Sequence, residues 1–299
     1  MKGLLSLLGD YTFRVVSLGA VLMGLISGLI GSFSVLERRS LLGDAVSHAA
    51  LPGVVLIFLL TGSKSTEALM FGATLSGLTA TFMILGIIRF SRIKFDSALA
   101  LIMSTFFGFG LVLLTYAQKQ PNAAQAGLDR FIFGQASAML NSDLYIMLIA
   151  GSVLLALTLM FWKEIKLFIF DREYAHTLRF SPRKMDILLS AMTVTAIIVG
   201  LQTVGVILMS AMLVAPAAAA RQWTNRLSVM VVLSSFLGGI SGLIGTLISS
   251  LTVKIPTGPA IVVVASTFVI ISMLFAPGRG IISRRWHRKK AVKTYQKEG

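Results

Sequence analysis

The stretch ILLSAMTVTAIIVGLQTVGVILMSAMLVAPAAAA, residues 187–220, decides the fold of this chain. It contains 34 residues without a charged side chain. As one helix it would be about 51 Å long at 1.5 Å per residue, whereas the hydrocarbon core of a bilayer is about 30 Å thick. Its middle holds Gly200, Gln202, Thr203 and Gly205, a polar and flexible patch that suits a break among other helices or beside a cavity. The stretch therefore predicts two shorter helices.

Seven further uncharged runs flank this stretch, each about one bilayer span long. They are 15–36, 45–62, 68–88, 97–117, 144–162, 227–253 and 255–278. The chain is 56% hydrophobic and only 13% charged, with a mean hydropathy of +0.85, which is typical of a membrane protein. The sequence predicts an all-α, polytopic membrane helix bundle of nine transmembrane helices, or eight if one piece is re-entrant. We expect residues 1–299 to form a single transmembrane domain.

The basic residues fall mainly on one side of this predicted bundle. If the long run goes out and returns, 21 of the 27 Lys and Arg residues share one side. Cytoplasmic loops of membrane proteins carry such an excess, so we expect the amino terminus outside and the basic tail, residues 279–299, in the cytoplasm. The formal net charge of +15 then belongs to loops beside membrane lipid, and no nucleic acid partner is expected.

Two ionisable residues, Asp44 and His48, lie at the mouth of the apolar run GDAVSHAALPGVVLIFLL, residues 43–60. A spacing of four places both side chains on one helix face, where a carboxylate and an imidazole suit a divalent cation. Ionisable groups at membrane depth are rare unless they face a pathway or each other. Two alternatives stay open: Asp44 as a helix N-cap, and His48 as a neutral histidine hydrogen-bonded to a carbonyl or to Asp44. A symmetric dimer would double the two ligands to four.

The longest hydrophilic connection on the basic side, residues 164–186, alternates charged with aromatic side chains. A short helix of this pattern would present an apolar face to a partner protein; a solvated loop on the lipid headgroups is the alternative. The chain has no cysteine, so metal ligands must come from Asp, Glu, His, Met or backbone oxygen. It also lacks a G-x-x-x-x-G-K-[ST] loop and a catalytic triad, so we expect no enzyme activity in this chain.

Four blocks of sequence carry a resemblance to a known family. The block SVLERRSLLGDAVSHAALPGV, residues 34–54, resembles the signature of the permease subunits of bacterial ABC importers for manganese, zinc and ferrous iron. Three further blocks follow in the family's order: DREYAHTL at 171–178, VGVILMSAMLVAPAAAA at 204–220 and IPTGPAIVV at 255–263. The similarity covers nearly the whole chain, from about residue 13 to residue 277.

The resemblance implies a fold similar to that of the vitamin B12 importer, the type II ABC permease fold, with fewer helices. It also implies a homodimer in a bacterial cell membrane, two copies of a separate cytoplasmic ABC ATPase, and a solute-binding protein outside that delivers the metal. Asp44 and His48 match the family's metal-path positions. The positions that match its ATPase-coupling helix are Asp171, Arg172, Glu173, Tyr174, Leu178, Arg179 and Phe180. The chain departs from the family at Arg179, near which a glycine is usual.

The expected function is that of a transport subunit, with ATP hydrolysis on the separate ATPase and no permanently bound cofactor. The cargo is a divalent transition-metal ion, with Mn²⁺ as the first expectation, Zn²⁺ as the second and Fe²⁺ as the third. An autonomous secondary cation transporter or channel is the alternative. Such a transporter should show an internal repeat with matched broken helices in its two halves, whereas this sequence shows one clearly broken run.

Overall fold

A computed structural model describes residues 10–62, 65–119, 139–177, 181–252, 255–277 and 279–283. All the secondary-structure elements in these described ranges are α-helices. In chain order the helices are α1 Tyr11–Leu36, α2 Leu42–Thr61, α3 Thr66–Phe90, α4 Phe95–Gln118, α5 Asn141–Met160, α6 Trp162–Phe170, α7 Arg172–Thr177, α8 Pro182–Val204, α9 Val206–Trp223, α10 Leu227–Leu251 and α11 Thr257–Phe275.

Nine of these helices correspond to the nine predicted membrane segments. Eight of the helices within the described residues are long and apolar enough to cross a membrane: α1 to α5, α8, α10 and α11. The ninth segment is α9, which is 18 residues long. The all-α, polytopic membrane bundle predicted from the sequence is therefore confirmed. Pro216 lies inside α9, and the helix continues to Trp223.

The long apolar run breaks at Gly205, inside the protein. Gly205 is buried and has φ +83° and ψ 168°, a backbone conformation that is essentially restricted to glycine. Asp186, near the start of α8, contacts Arg39 just after α1, and Ala220, near the end of α9, packs in a cluster with Leu36 at the end of α1. Both outer ends of the broken run thus lie beside the same end of α1. The run goes out and returns, as its length predicted.

Close helix contacts hold the centre of the bundle together. A side chain at Gly24 would collide with the backbone of Gly238, and one at Gly28 with the backbone of Ser234. The Ser234 hydroxyl donates a 2.7 Å hydrogen bond to the Gly28 carbonyl. Small residues allow this approach between α1 and α10, because van der Waals contact and hydrogen bonds drive helix packing in lipid. By contrast, α4 and α5 leave most of their side chains exposed.

Several arginines gather at one end of the bundle, which we call the basic end. The connection between α1 and α2, the end of α3 and the starts of α4 and α8 line one open cavity of about 860 Å³ there. The charged residues that line it are Glu37, Arg38, Arg39, Arg89, Asp96, Arg183 and Asp186. The start of α2 lies at this end.

Candidate metal site

The candidate site consists of two partly exposed side chains on the otherwise buried first part of α2. From Leu42 to Val55, every residue of α2 is buried except Asp44 and His48. These two residues lie one turn apart and so share a face. The surroundings of α2 therefore leave access to two ionisable side chains while covering the apolar residues around them.

The geometry of the pair suits a shared cation. His48 Nε2 lies 3.6 Å from Asp44 Oδ1, and the side chains are 22% and 37% exposed respectively. Two ligand atoms that each lie about 2.1 Å from one ion can be up to about 4.2 Å apart, so this separation allows both atoms to contact the same ion. His48 Nδ1 is buried without a hydrogen-bond partner. Nε2 is therefore the imidazole nitrogen available beside the carboxylate.

The N-cap alternative for Asp44 is wrong. The helix begins at Leu42, its N-cap is Leu41, and Asp44 is the third helical residue. That alternative put the helix start too late, because the apolar run begins after Asp44 whereas the helical backbone starts two residues before it. A carboxylate in the first turn is still favourable, since it faces the positive end of the helix dipole.

Neighbouring helices fix the position of α2. A side chain at Gly43 would contact Leu213 of α9, and the hydroxyl of Ser76 in α3 donates a 2.6 Å hydrogen bond to the carbonyl of Ala49, the residue after His48. On the α4 side, the rings of Phe107 and His48 meet edge to face, with centroids 4.8 Å apart. Three helices therefore hold the turn that carries the pair.

A proline one turn beyond His48 leaves a backbone carbonyl without its helical hydrogen-bond donor. Pro52 lies inside α2 and has no N–H, so the His48 carbonyl has no donor at the usual position four residues later. A backbone acceptor freed at membrane depth is tolerated where protein or water surrounds it. Pro52 thus favours a polar environment next to the imidazole.

The described part of the chain offers few side-chain metal ligands near the pair. Among the residues that the structure describes, no group of three or more His, Cys, Asp or Glu side chains is placed to hold a metal ion. Asp44 and His48 therefore offer two side-chain ligands.

The predicted coupling residues lie apart from the pair, near the basic end. Asp171 ends α6, and its Oδ1 accepts a 2.9 Å hydrogen bond from the Tyr174 backbone N–H, which stabilises the start of α7. Glu173 and Tyr174 are exposed, and Arg172 is the first residue of α7. Three further predicted residues, Leu178, Arg179 and Phe180, lie outside the described residues.

Sequence reasoning missed two features around the site. Phe107 lies in an apolar run of α4 with nothing in its local pattern to distinguish it. Arg39 appears within the quoted ERR block, but its partner, Asp186, is far away in the sequence and no local pattern indicates their contact. A search for polar residues at the ends of apolar runs would have included Asp186, without assigning it a partner.

The apolar helix bundle defines the chain as a polytopic membrane protein. The chain belongs to the ABC 3 transport family, whose sequence profile matches residues 10–276. This match confirms the resemblance to permease subunits of metal-ion ABC importers that the four sequence blocks indicated.

Relatives in two bacteria are named for metal transport. The chain is 48% identical over 299 residues to the zinc transport system membrane protein TroC of Treponema pallidum, and the match covers 100% of both chains. It is 45% identical over 268 residues to the manganese transport system membrane protein MntC of Bacillus subtilis, and this match covers 89% of the chain and 61% of MntC. The chain is therefore a permease of a zinc and manganese transporter family.

Two solved structures share the fold. A chain of PsaBC from Streptococcus pneumoniae, solved in complex with a Fab, matches with a TM-score of 0.80 and 31% identity, over 94% of this chain and 96% of that one. An inward-facing transporter described as of the metal-chelate ABC type matches with a TM-score of 0.68 over 87% of this chain and 85% of that one. At 13% identity, the second match shows the fold alone. The predicted type II ABC permease fold is confirmed.

Proposed function

We propose that this chain is the membrane subunit of an ATP-driven importer and that Asp44 and His48 line the path of a divalent transition-metal ion. One observation carries the proposal: within the first 14 residues of α2, only this carboxylate and this imidazole are not buried. Ionisable side chains at membrane depth face the interior of a bundle or a water-filled cavity, and they mark ion pathways.

A homodimer would complete the ligand set. Two copies related by a two-fold axis bring two carboxylates and two imidazoles together, which gives four nitrogen and oxygen ligands. The face of α4 next to Phe107 supports such contact. Ala100, Ser104 and Gly108 are exposed at a spacing of four on this face. Small residues in such a row let two membrane helices approach closely.

ATP hydrolysis would take place on two copies of a separate ABC ATPase. In this proposal the basic end faces the bacterial cytoplasm and the amino terminus lies outside, because basic residues favour the cytoplasmic side. The ATPases then contact α6, α7 and the start of α8, within residues 164–186. A solute-binding protein delivers the metal at the opposite end. Residues 1–299 act as one permease domain, with the tail at 279–299 in the cytoplasm.

Transport then requires alternate access to the pair. Closure of the ATPases on ATP moves the 164–186 segments, and the helices rock so that Asp44 and His48 face the binding protein and then the cytoplasm. A small number of protein ligands suits transport, since an ion held by a complete protein shell would leave slowly. The pair therefore binds the ion weakly enough to release it.

Mn²⁺ is the first candidate cargo because a carboxylate is a hard ligand, and Zn²⁺ is the second because imidazole suits it equally well; Fe²⁺ follows. The test measures ATPase stimulation of the reconstituted complex by each ion in turn, with the binding protein present. The ion that stimulates hydrolysis at the lowest concentration is the cargo. Equal stimulation by all three would place selectivity outside this chain.

The path itself is tested with Asp44→Ala and His48→Ala. Each variant should abolish metal uptake while assembly with the ATPase stays intact, because the side chains face an opening and not the core. Glu67→Gln is the matched control: Glu67 is an exposed carboxylate in the first turn of α3, away from the pair. Wild-type uptake by both alanine variants would refute the path.

An autonomous secondary transporter or channel is not favoured. Membership in the ABC 3 family supports an ATP-driven system, and the structure adds no second break of the kind at Gly205 within the described membrane helices. Metal uptake by the chain alone, in vesicles without the ATPase, would favour the secondary transporter or channel over the ATP-driven importer.

A further inference from the structure

A largely buried ion pair joins Arg39 to Asp186 at the basic end. Arg39 Nη2 lies 2.9 Å from Asp186 Oδ1, and the two side chains are only 15% and 18% exposed. Arg39 Nη1 also lies 3.9 Å from Glu37 Oε2, and the guanidinium lies 5.4 Å from the centre of the Phe95 ring. The side chain of Arg39 is thus in contact with α8 and α4 as well as with its own loop.

Arg39 lies at the start of the helix that carries the candidate site. The backbone N–H of Leu42 donates a 2.9 Å hydrogen bond to the Arg39 carbonyl, so Arg39 forms the turn from which α2 begins. Asp44 is in the first turn of α2, and His48 is one turn further on. The backbone of the first two turns of α2 therefore joins Arg39 to the pair.

Asp186 lies at the opposite side of the contact, beside the predicted coupling segment. Ala175 of α7 is 2% exposed and adjoins Phe168 of α6 and both Pro182 and Met185 of α8 around a small gap. Met185 directly precedes Asp186. α7 is therefore next to the first turns of α8, where Asp186 pairs with Arg39.

We propose that Arg39 is a positioning residue that transmits movement of the 164–186 segment to Asp44 and His48 through its ion pair with Asp186. The inference rests on the proposed function, because it needs an ATPase that moves this segment. An arginine suits this role, because its planar guanidinium binds a carboxylate in a fixed geometry and stacks on an aromatic ring. An apolar contact in the same place would allow the helices to slide.

The energetics favour a positioning role over a stabilising one. The cost of removing two charges from water offsets much of their attraction, so a buried ion pair is weak evidence for stability. What the pair does provide is a close charged contact between α8 and the residue from which α2 begins. Loss of the contact should then separate ATP hydrolysis from transport and leave the fold in place.

The test uses the chain assembled with its ATPase in proteoliposomes and measures metal ions imported per ATP hydrolysed. Asp186→Asn removes one charge at nearly constant volume, and Arg39→Gln removes the opposite charge with a shorter side chain. Each should lower the ratio roughly tenfold, because ATP hydrolysis then continues while fewer cycles move the pair. The metal Kd of the nucleotide-free complex should stay at the wild-type value. The double variant should be no worse than either single variant, because all three lack the same contact.

Arg38→Gln is the matched control, since Arg38 is the preceding arginine on the same loop and is exposed; it should keep the wild-type ratio. Because the chain has no cysteine, Arg39→Cys with Asp186→Cys introduces the only two thiols of the chain. The double cysteine variant should import fewer metal ions per ATP hydrolysed than the wild type. A short methanethiosulfonate crosslinker between the two thiols should restore the wild-type ratio. A merely structural role of Arg39 would not explain this rescue.

Two outcomes overturn the inference. One is a wild-type ratio in both single variants, and the other is a crosslinked pair that assembles but stays uncoupled. A different result refutes the proposed function itself: an unmodified complex that hydrolyses ATP and imports no metal in the presence of the binding protein.

Discussion

The imidazole of His48 meets the ring of Phe107 edge to face, with centroids 4.8 Å apart and 77° between the ring planes. The contact brings α4 to a pair carried by α2. Aromatic contacts of this kind contribute about 0.5–1.5 kcal/mol beyond the area they bury. Phe107 therefore restricts the orientation of the imidazole that presents Nε2 to Asp44.

Phe107→Ala should weaken metal binding without unfolding the protein. Loss of about 1 kcal/mol of orienting contact corresponds to a roughly fivefold rise in the metal Kd. The Kd is measured by equilibrium binding of Mn²⁺ and Zn²⁺ to the purified complex. Phe71→Ala is the control, since Phe71 is 63% exposed on α3 and does not contact His48. An unchanged Kd for Phe107→Ala would show that the ring only fills space.

Gly205→Ala should destabilise the protein by about 1–3 kcal/mol, because a side chain makes the φ and ψ of the break strained. The midpoint of thermal unfolding, followed in detergent, should fall. Gly86→Ala is the matched control: an added methyl group at Gly86 would meet no atom within 4 Å, and alanine favours a helix. If Gly86→Ala lowered the unfolding midpoint as much as Gly205→Ala does, the effect at Gly205 would not come from the backbone conformation of the break.

Arg38→Gly should raise stability by about 1 kcal/mol. Arg38 has φ +59° and follows the C-cap of α1, a position that glycine adopts without the cost that a side chain incurs. The backbone N–H of Arg39 bonds to the Ser34 carbonyl at 2.9 Å, as in a Schellman motif. The midpoint of thermal unfolding measures the gain.

Arg38→Ala supplies the control for this substitution, since it removes the same side-chain charge and keeps the left-handed backbone cost. If alanine stabilises the protein as much as glycine does, charge repulsion at the basic end and not backbone strain is the cause.

Local patterns predicted the features that depend on neighbouring residues. The length and polarity of residues 187–220 predicted the break that the structure places at Gly205, and the spacing of four predicted that Asp44 and His48 would be adjacent. The N-cap alternative failed because polarity marks where a helix enters the apolar region, not where its backbone begins. The contacts of His48 with Phe107 and of Arg39 with Asp186 depend on how distant helices pack, and no local signal encodes them.

Gly108→Phe should lower the dimer fraction of the purified chain, as measured by light scattering corrected for detergent. An added Cβ at Gly108 meets no atom within 4 Å, so the variant should fold, and its ring should project from the α4 face that we propose as the dimer contact. Ile149→Phe on α5 is the matched control, because Ile149 is 66% exposed on a helix whose large apolar side chains suit lipid. Metal uptake should fall with the dimer fraction in the Gly108 variant alone, since each chain holds only two of the four proposed ligands. An intact dimer in Gly108→Phe would place the two-fold contact on another face, and Asp44 and His48 would then need their remaining ligands from elsewhere.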